Sequence, residues 1–299
     1  MRLAKASFHW GNDVDGLWHR TLLAQDYALI NPLQVDAALW SDLPVAVLVP
    51  PELEAQAHLM PRLLDLNAMQ EEAKIQLLDR ALLQQQHSRF SYFSAMLVSG
   101  LPMAQMASRL SKRLVAGGPD ASKALLRFYD PRVFRHLCWV LSPDQLSRLL
   151  SGIESWTWCD MRGQWRQYRP ADITARSDLR LAAGQWEDLQ RLGLLNRCLQ
   201  QIARAEPDSA CDDAVAKSVN LLLKAAYERH GLADGPDRCL YAEQGVRFHP
   251  EIHRNVEIAE RIARAGTGAV SYVDACRDLD DATLRRFAKD LSQSQGMSS

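Results

Sequence analysis

The chain lacks the features that mark a secreted, membrane-spanning or nucleic-acid-binding protein. No segment approaches the roughly 20 consecutive apolar residues that a membrane span needs. The N-terminal stretch MRLAKASFHWGNDVDGLWHR contains neither an unbroken apolar core nor a small-residue cleavage site, so we expect no signal peptide. A formal net charge of -1 provides no overall basic field to attract nucleic acid or an anionic membrane. We therefore expect neither of these partners.

Cysteines are scattered along the chain, and no two of them form a Cys-x-x-Cys pair. Because no export signal is expected, this usage favours reduced thiols over a disulfide framework. The sequence therefore predicts a cytoplasmic protein.

Common catalytic and nucleotide-binding motifs are also missing. The sequence has no Gly-x-x-x-x-Gly-Lys-Ser/Thr loop, no Gly-x-Gly-x-x-Gly after a predicted strand and no Gly-x-Ser-x-Gly. Its paired acids, Asp212-Asp213 and Asp280-Asp281, stand at predicted helix starts, where the positive end of the helix dipole favours them. We accordingly assign no catalytic residue, no cofactor and no metal.

One pattern leaves an enzymatic alternative open. His249 and His253 are four residues apart, a separation that places two imidazoles on one helix face and suits zinc. Pro250 and the displaced glutamate differ from a His-Glu-x-x-His motif, so an ordinary helix start with exposed imidazoles is favoured. The alternative is a metal- or carboxylate-dependent enzyme whose site lies in a cleft between two lobes.

The residues that are present predict a globular protein with two differently built parts. Hydrophobic residues make up 47% of the chain and charged residues 24%, which is typical of a folded domain. The apolar pattern predicts an α/β (α+β) N-terminal lobe with a mixed β-sheet flanked by helices, followed by an all-helical C-terminal lobe. The predicted divisions are an N-terminal extension (1–24), the α/β domain (25–169), a linker (170–177) and the helical lobe with a frayed tail (178–299).

Individual elements follow from local patterns. Short apolar runs rich in β-formers, and one aromatic pair around a turn, predict strands at 27–31, 45–49, 90–99, 113–116 and 123–129 and a hairpin at 154–160 and 164–168. The first two of these strands are predicted to be buried. Helical spacing predicts helices from Pro51 to Leu64 with a break at Pro61, then at 68–86, 101–110, 179–192, 194–205, 212–229, 255–265 and 281–291.

The stretch LLRFYDPRVF places a permanent charge, Arg127, in the predicted strand 123–129. A buried guanidinium needs acceptors, so a carboxylate or several carbonyls should contact it. Strand alternation puts Asp130 on the opposite face. Asp130 followed by Pro131 instead predicts a capped helix start, and the run Ser142 to Gln145 predicts a second one with a capping box.

Two interpretations of this stretch remain open. The favoured one is architectural: a strand, two capped helices and a neutralised arginine. In the other, Arg127 and Arg132, together with Tyr129, line a binding surface.

The run Leu126-Arg-Phe-Tyr-Asp-Pro-Arg-Val133 also resembles the core motif of a known family. Further matching features are Tyr27-Ala-Leu-Ile30, the run 45–49, Leu97-Val-Ser-Gly-Leu-Pro102, Ser-Pro-Asp-Gln at 142–145 and Trp156 in the strand that follows. Together these features, over residues 25–168, resemble the type VI secretion effector chaperones or adaptors, also called domain-of-unknown-function family 4123.

This resemblance implies a cytoplasmic, non-enzymatic protein of a Gram-negative bacterium. Such a protein binds one toxic effector and helps to load it onto the VgrG spike or a PAAR tip. The motif residues carried over are Arg127, Tyr129, Asp130, Pro131 and Arg132, with a structural or a binding role. A structural subunit of an assembly is a third possibility.

Tryptophans are the candidate anchors for an effector, because large aromatic side chains dominate protein interfaces. Trp156, Trp158 and Trp165 fall in the predicted hairpin, where the first two share a face. We expect part of that face to contact the effector. The competing interpretation is that these side chains fill the junction between the two lobes.

Overall fold

A computed structural model of the protein describes residues 19–88, 90–171 and 179–296. The chain divides into two compact units, Met1–Trp186 and Glu187–Ser299, called here the N-terminal unit and the helical unit. Most of the predicted extension and residues 172–177 of the predicted linker lie outside the described residues. Their boundaries therefore stay predictions.

The described residues of the N-terminal unit form two sheets. Its described strands are β1 (Tyr27–Ile30), β2 (Val45–Val47), β3 (Arg62–Asp65), β4 (Ala95–Val98), β5 (Val115–Gly117), β6 (Lys123–Leu125), β7 (Ser155–Cys159) and β8 (Trp165–Tyr168). Six of them form one sheet in the order β2-β3-β1-β4-β7-β8, and β5 pairs with β6. Its helices are α1 (His19–Leu23), α2 (Glu71–His87), α3 (Met103–Arg113), α4 (Pro131–Val140) and α5 (Pro143–Leu149).

The predicted fold class is confirmed, with one difference in the sheet. Every described strand pair is antiparallel, whereas a mixed sheet was predicted. Helix α2 does connect two strands of equal direction, β3 and β4, as a crossover helix usually does. Strand β1 lies between those two and runs against both. The parallel strands are therefore not neighbours.

The segment from Pro51 to Leu64 is not the predicted helix. A 3₁₀ segment covers Pro51–Leu59, and β3 follows directly after Pro61. Strand β3 is hydrogen-bonded to β1 on one side and to β2 on the other, and Leu63 and Leu64 are fully buried. These pairings override the helical spacing of the apolar residues. Strand β2 lies at the sheet edge. Val45 and Ala46 are half-buried and Val47 is 40% exposed, so the prediction of a buried strand was wrong for them, although Leu48 directly after β2 is fully buried.

The predicted strand 123–129 ends at Leu125, four residues early. Leu126 N donates to Leu114 O, and Asp130 N donates to Arg127 O at 2.9 Å, which closes a turn. Arg127 therefore lies in a turn and not in a strand. The turn brings Asp130 to the same side as Arg127, contrary to the alternation that a strand would impose.

The two faces of the six-stranded sheet carry different cores. On one face, strand residues such as Ala28, Ile30 and Met96 pack with Leu77 and Leu78 of α2 in a continuous apolar cluster. The apolar residues of α2 are only partly buried, because Ile75, Leu82 and Leu83 are exposed. On the other face, Trp156 of β7 packs against Phe134 of α4.

From Ala183 to Gly296 the described chain is helical. Its helices are α6 (Ala183–Ala205), α7 (Asp213–Glu228), α8 (Gly235–Arg247), α9 (Val256–Gly266), α10 (Tyr272–Ala275) and α11 (Asp281–Gly296). Helix α6 runs without a break through Gly193, where two separate helices were predicted. Helix α8 was not predicted. Among the described residues, no helix combines the length and hydrophobicity that crossing a membrane requires.

Candidate functional site

Helix α4 begins where the local sequence predicts. Asp130 is its N-cap, and its side chain accepts a hydrogen bond from Arg132 N at 3.0 Å, with Pro131 at the first helical position. Asp130 thus satisfies one of the free backbone N–H groups at the helix start. The capping box at the start of α5, formed by Ser142 and Gln145, is also confirmed.

Asp130 is also the centre of an ionic cluster. Arg132 donates from Nε to Asp130 Oδ1 at 3.0 Å and from Nη2 to Oδ2 at 2.7 Å. Arg127 Nη2 lies 3.4 Å from the same Oδ2. We call Arg127, Asp130 and Arg132 the arginine cluster. The predicted contact between Arg127 and a carboxylate is therefore present, through the residue that strand alternation had placed on the other face.

The charges of the arginine cluster do not balance. The Asp130 side chain is only 2% exposed, whereas those of Arg127 and Arg132 are 35% and 27% exposed. One buried carboxylate therefore supports two guanidinium groups that reach solvent, and one positive charge is left over. Hydrogen bonding to Asp130 raises the pKa of Arg132, against the smaller effect of burial.

Aromatic rings support both arginines. The Arg127 guanidinium lies 5.9 Å from the centre of the Tyr129 ring, and that of Arg132 lies 5.4 Å from the Phe90 ring. Tyr129 is 1% exposed, and burial raises the pKa of its hydroxyl. The alternative that Tyr129 itself lines a binding surface therefore finds no support in its position and stays untested. Phe90 was missed, because nothing in the sequence relates it to Arg132.

The three candidate tryptophans lie in the interior of the N-terminal unit. Trp156 is fully buried, and Trp158 and Trp165 are at most 5% exposed. Trp156 and Trp158 do share a face, since their ring centres lie 5.4 and 4.8 Å from that of Phe134. Trp165 packs in the cluster on the opposite face. Direct contact with an effector would therefore require this core to open, so the predicted role finds no support in their positions and stays untested.

A partly buried cation lies on α3. Arg113 donates from Nη1 to Ser151 O at 3.0 Å, close to the end of α5. Burial, and to a lesser extent the neighbouring Arg109, lowers the pKa of Arg113 to about 10. A guanidinium near the last carbonyls of a helix is favourable there, which gives Arg113 a structural role. The sequence offered no signal for it.

The two histidines of the enzymatic alternative occupy different surroundings. His253 belongs to a 3₁₀ turn, Ile252–Arg254, and its ring stacks on Tyr241 with centres 3.5 Å apart. His253 Nε2 donates to Tyr241 O at 2.9 Å. His249 Nδ1 accepts from Glu251 N at 3.1 Å. The favoured expectation of exposed imidazoles at a helix start was therefore wrong for His253, which is largely enclosed.

In the described ranges, no group of three or more His, Cys, Asp or Glu side chains could hold a metal ion. The His253 nitrogen that donates to Tyr241 O carries a proton and offers no lone pair to a metal.

The arginine cluster lies within a stretch of the chain that is similar to a known family. Residues 14–148 match the sequence profile of the family described as Domain of unknown function (DUF4123). The match spans a little under half of the chain and includes the motif from Arg127 to Arg132. No curated protein and no solved structure matches the chain. The family's description assigns no activity.

Proposed function

We propose that the protein is a cytoplasmic, non-enzymatic adaptor that binds one type VI secretion effector and helps to load it onto the VgrG or PAAR spike. Similarity to a family and one feature of the structure support the proposal. Residues 14–148 match the DUF4123 profile, and the motif within them resembles that of effector chaperones. The observation that carries the proposal is the arginine cluster, which provides a fixed and partly exposed site for an acidic partner group.

The geometry gives Arg127 and Arg132 different roles in the proposed interface. Arg132 makes two short hydrogen bonds to Asp130 and is held in place by them. Arg127 is more exposed and lies at 3.4 Å from the same carboxylate, so it has donors to offer to another acceptor. Arg127 would therefore contact a carboxylate of the effector. Arg132 would meanwhile continue to compensate the negative charge of Asp130. A guanidinium already oriented by its neighbours loses little side-chain freedom on binding.

An exposed apolar residue lies close to Arg127 in the sequence. Leu125, two positions before Arg127, is 39% exposed. An interface needs apolar contact for affinity, and charge complementarity at its rim selects the partner. Leu125 and Arg127 together would meet an apolar side chain and an acidic side chain of the effector.

Co-purification with the toxin encoded beside the gene tests the proposal. We expect the wild-type protein to recover this toxin and Arg127→Gln to recover at least about tenfold less, as loss of a charge-assisted hydrogen bond would give. Arg162→Gln is the matched control, because Arg162 is exposed in the turn between β7 and β8 of the same unit. Equal recovery by Arg127→Gln and Arg162→Gln would remove Arg127 from the interface. Failure of the wild-type protein to recover the toxin would contradict the adaptor role itself.

A bacterial competition assay tests the loading step separately. Cells that lack this protein should keep a functional secretion apparatus but stop delivering the cognate toxin. Full delivery without the protein would overturn the proposal, whatever its affinity for the effector in solution.

A further inference from the structure

The helical unit contains an open cavity of about 490 Å³. One wall is a single face of α9, where Ala259, Ile262, Ala263 and Gly266 follow the spacing of i, i+3, i+4 and i+7. The other lining residues are Arg229, His230 and Gly231, just after α7, and His253. This volume lies within the range of roughly 300–1,000 Å³ that is typical of small-molecule sites.

Two glycines allow the turn after α7 to approach α9. A Cβ on Gly266 would lie 2.5 Å from His230 O, a distance that no side chain can tolerate. Gly231 has a φ of +65°, in the left-handed region that favours glycine. The small residues at 259 and 263 leave the space above this contact open. The cavity is therefore a consequence of side-chain size at specific positions of α9.

The polar groups of the cavity are one cation and two imidazoles. Arg229 is exposed and, within the described residues, has no ion-pair partner. Burial lowers the pKa of His253 to about 4, and burial together with Arg229 lowers the pKa of His230. His253 is therefore neutral at pH 7, and the lowered pKa of His230 favours its neutral form as well. Because Nε2 of His253 donates to Tyr241 O, its Nδ1 is an acceptor.

These groups define the chemistry of a ligand. No carboxylate is among the lining residues, so the only formal charge in the cavity is that of Arg229. A guanidinium pairs with a carboxylate through two parallel hydrogen bonds. The α9 wall offers apolar contact to the rest of the ligand through Ala259 and Ala263, while Ile262 is only 3% exposed. We propose that this cavity binds a small organic acid, with its carboxylate on Arg229 and a compact apolar body against α9.

Phenylacetate is a suitable probe, and phenylacetamide is its neutral counterpart. Titration of the full-length protein, followed by saturation-transfer NMR, should show phenylacetate binding with a Kd of about 1–10 mM, the range expected for so few atoms. Phenylacetamide and inorganic phosphate should bind at least about tenfold more weakly. Equal binding of phenylacetamide would overturn the role of Arg229, and equal binding of phosphate would overturn that of the apolar wall. No binding of phenylacetate at 20 mM, about twice the weakest expected Kd, would overturn the site.

Substitutions of residues that line the cavity test whether phenylacetate binds there. Arg229→Gln should weaken phenylacetate binding about tenfold, since it removes the charge and keeps the bulk of the side chain. Ala263→Leu should abolish binding by filling the space, and a leucine is readily accepted at this exposed helical position. Arg277→Gln is the control, because Arg277 is 82% exposed in the same unit and does not line the cavity. Binding that survives both cavity variants would place the ligand elsewhere and contradict the proposal.

Discussion

Arg132 is bound to Asp130 twice, through its backbone and through its side chain. Its N–H donates to Asp130 Oδ1 as part of the helix cap, while Nε and Nη2 of its guanidinium hold both carboxylate oxygens. One carboxylate therefore starts a helix and fixes an arginine. This arrangement explains why the Asp-Pro-Arg sequence occurs as a unit: the cap, the helix start and the charge partner are consecutive residues.

Because Asp130 has two roles, two substitutions at this position should differ in their effect on stability. Asp130→Asn keeps a good N-cap but leaves two arginines without a carboxylate, so we expect a loss of about 1–3 kcal/mol in unfolding free energy. Asp130→Ala should lose about 1 kcal/mol more, because the cap is removed as well. Urea unfolding at pH 7 measures both. Asp144→Asn, at an exposed position in the first turn of α5, is the control. A change below about 0.5 kcal/mol for Asp130→Asn would show that the ion pairs contribute little.

Trp156 should behave as a core residue. It is fully buried and lies against Phe128 and Phe134. We expect Trp156→Ala to cost about 3–5 kcal/mol of stability, the usual effect of a large cavity. Leu83→Ala, at a 57% exposed position, should change stability by less than about 0.5 kcal/mol. If Trp156→Ala kept wild-type stability and lost only the effector, the tryptophan would be a contact residue after all.

His253 should make stability depend on pH. Burial lowers its pKa to about 4 in the folded protein, from 6.5 when exposed. As the pH falls, the unfolded chain therefore binds a proton at His253 before the folded protein does. The stabilisation from neutral His253 is complete above pH 6.5 and is lost as the pH falls towards 4. The loss of unfolding free energy from this group is at most about 3 kcal/mol. His230, whose pKa is also lowered, changes stability in the same direction.

Denaturant unfolding at pH 7 and pH 5 measures this effect. His253→Phe removes the titrating group and keeps an aromatic ring for Tyr241, so it should reduce the pH dependence. His87→Gln, at an exposed position at the end of α2, should leave the dependence as in the wild type. An unchanged slope for His253→Phe would assign the pH dependence to other groups.

Two glycine substitutions should have opposite effects. Gly266→Ala forces a Cβ against His230 O, so we expect a loss of more than about 1 kcal/mol. Gly193 lies within α6, and a Cβ there would meet nothing. Gly193→Ala should therefore stabilise the protein by about 0.5–1 kcal/mol, since alanine favours the helix. Thermal unfolding followed by circular dichroism compares the two variants directly. Changes of the same sign would contradict the packing described for Gly266.

The candidate site was only partly predictable. The motif from Arg127 to Arg132 was identified from the sequence, and so was the need of Arg127 for a carboxylate. Its actual partner was not, because the strand was predicted to continue to Tyr129. The burial of Tyr129 and the position of Phe90 below Arg132 depend on packing between segments that are distant in sequence.

The sequence by itself determined the features that depend on neighbouring residues. These include the caps at Asp130 and Ser142, the hairpin of β7 and β8, and the helical character of the second unit. Each depends on hydrogen bonds or periodicity within a few residues. Only the tertiary structure decided that Arg62–Asp65 is a strand and that the hairpin tryptophans are buried. Strand pairing and core packing join residues far apart in the chain, and no local pattern contains that information.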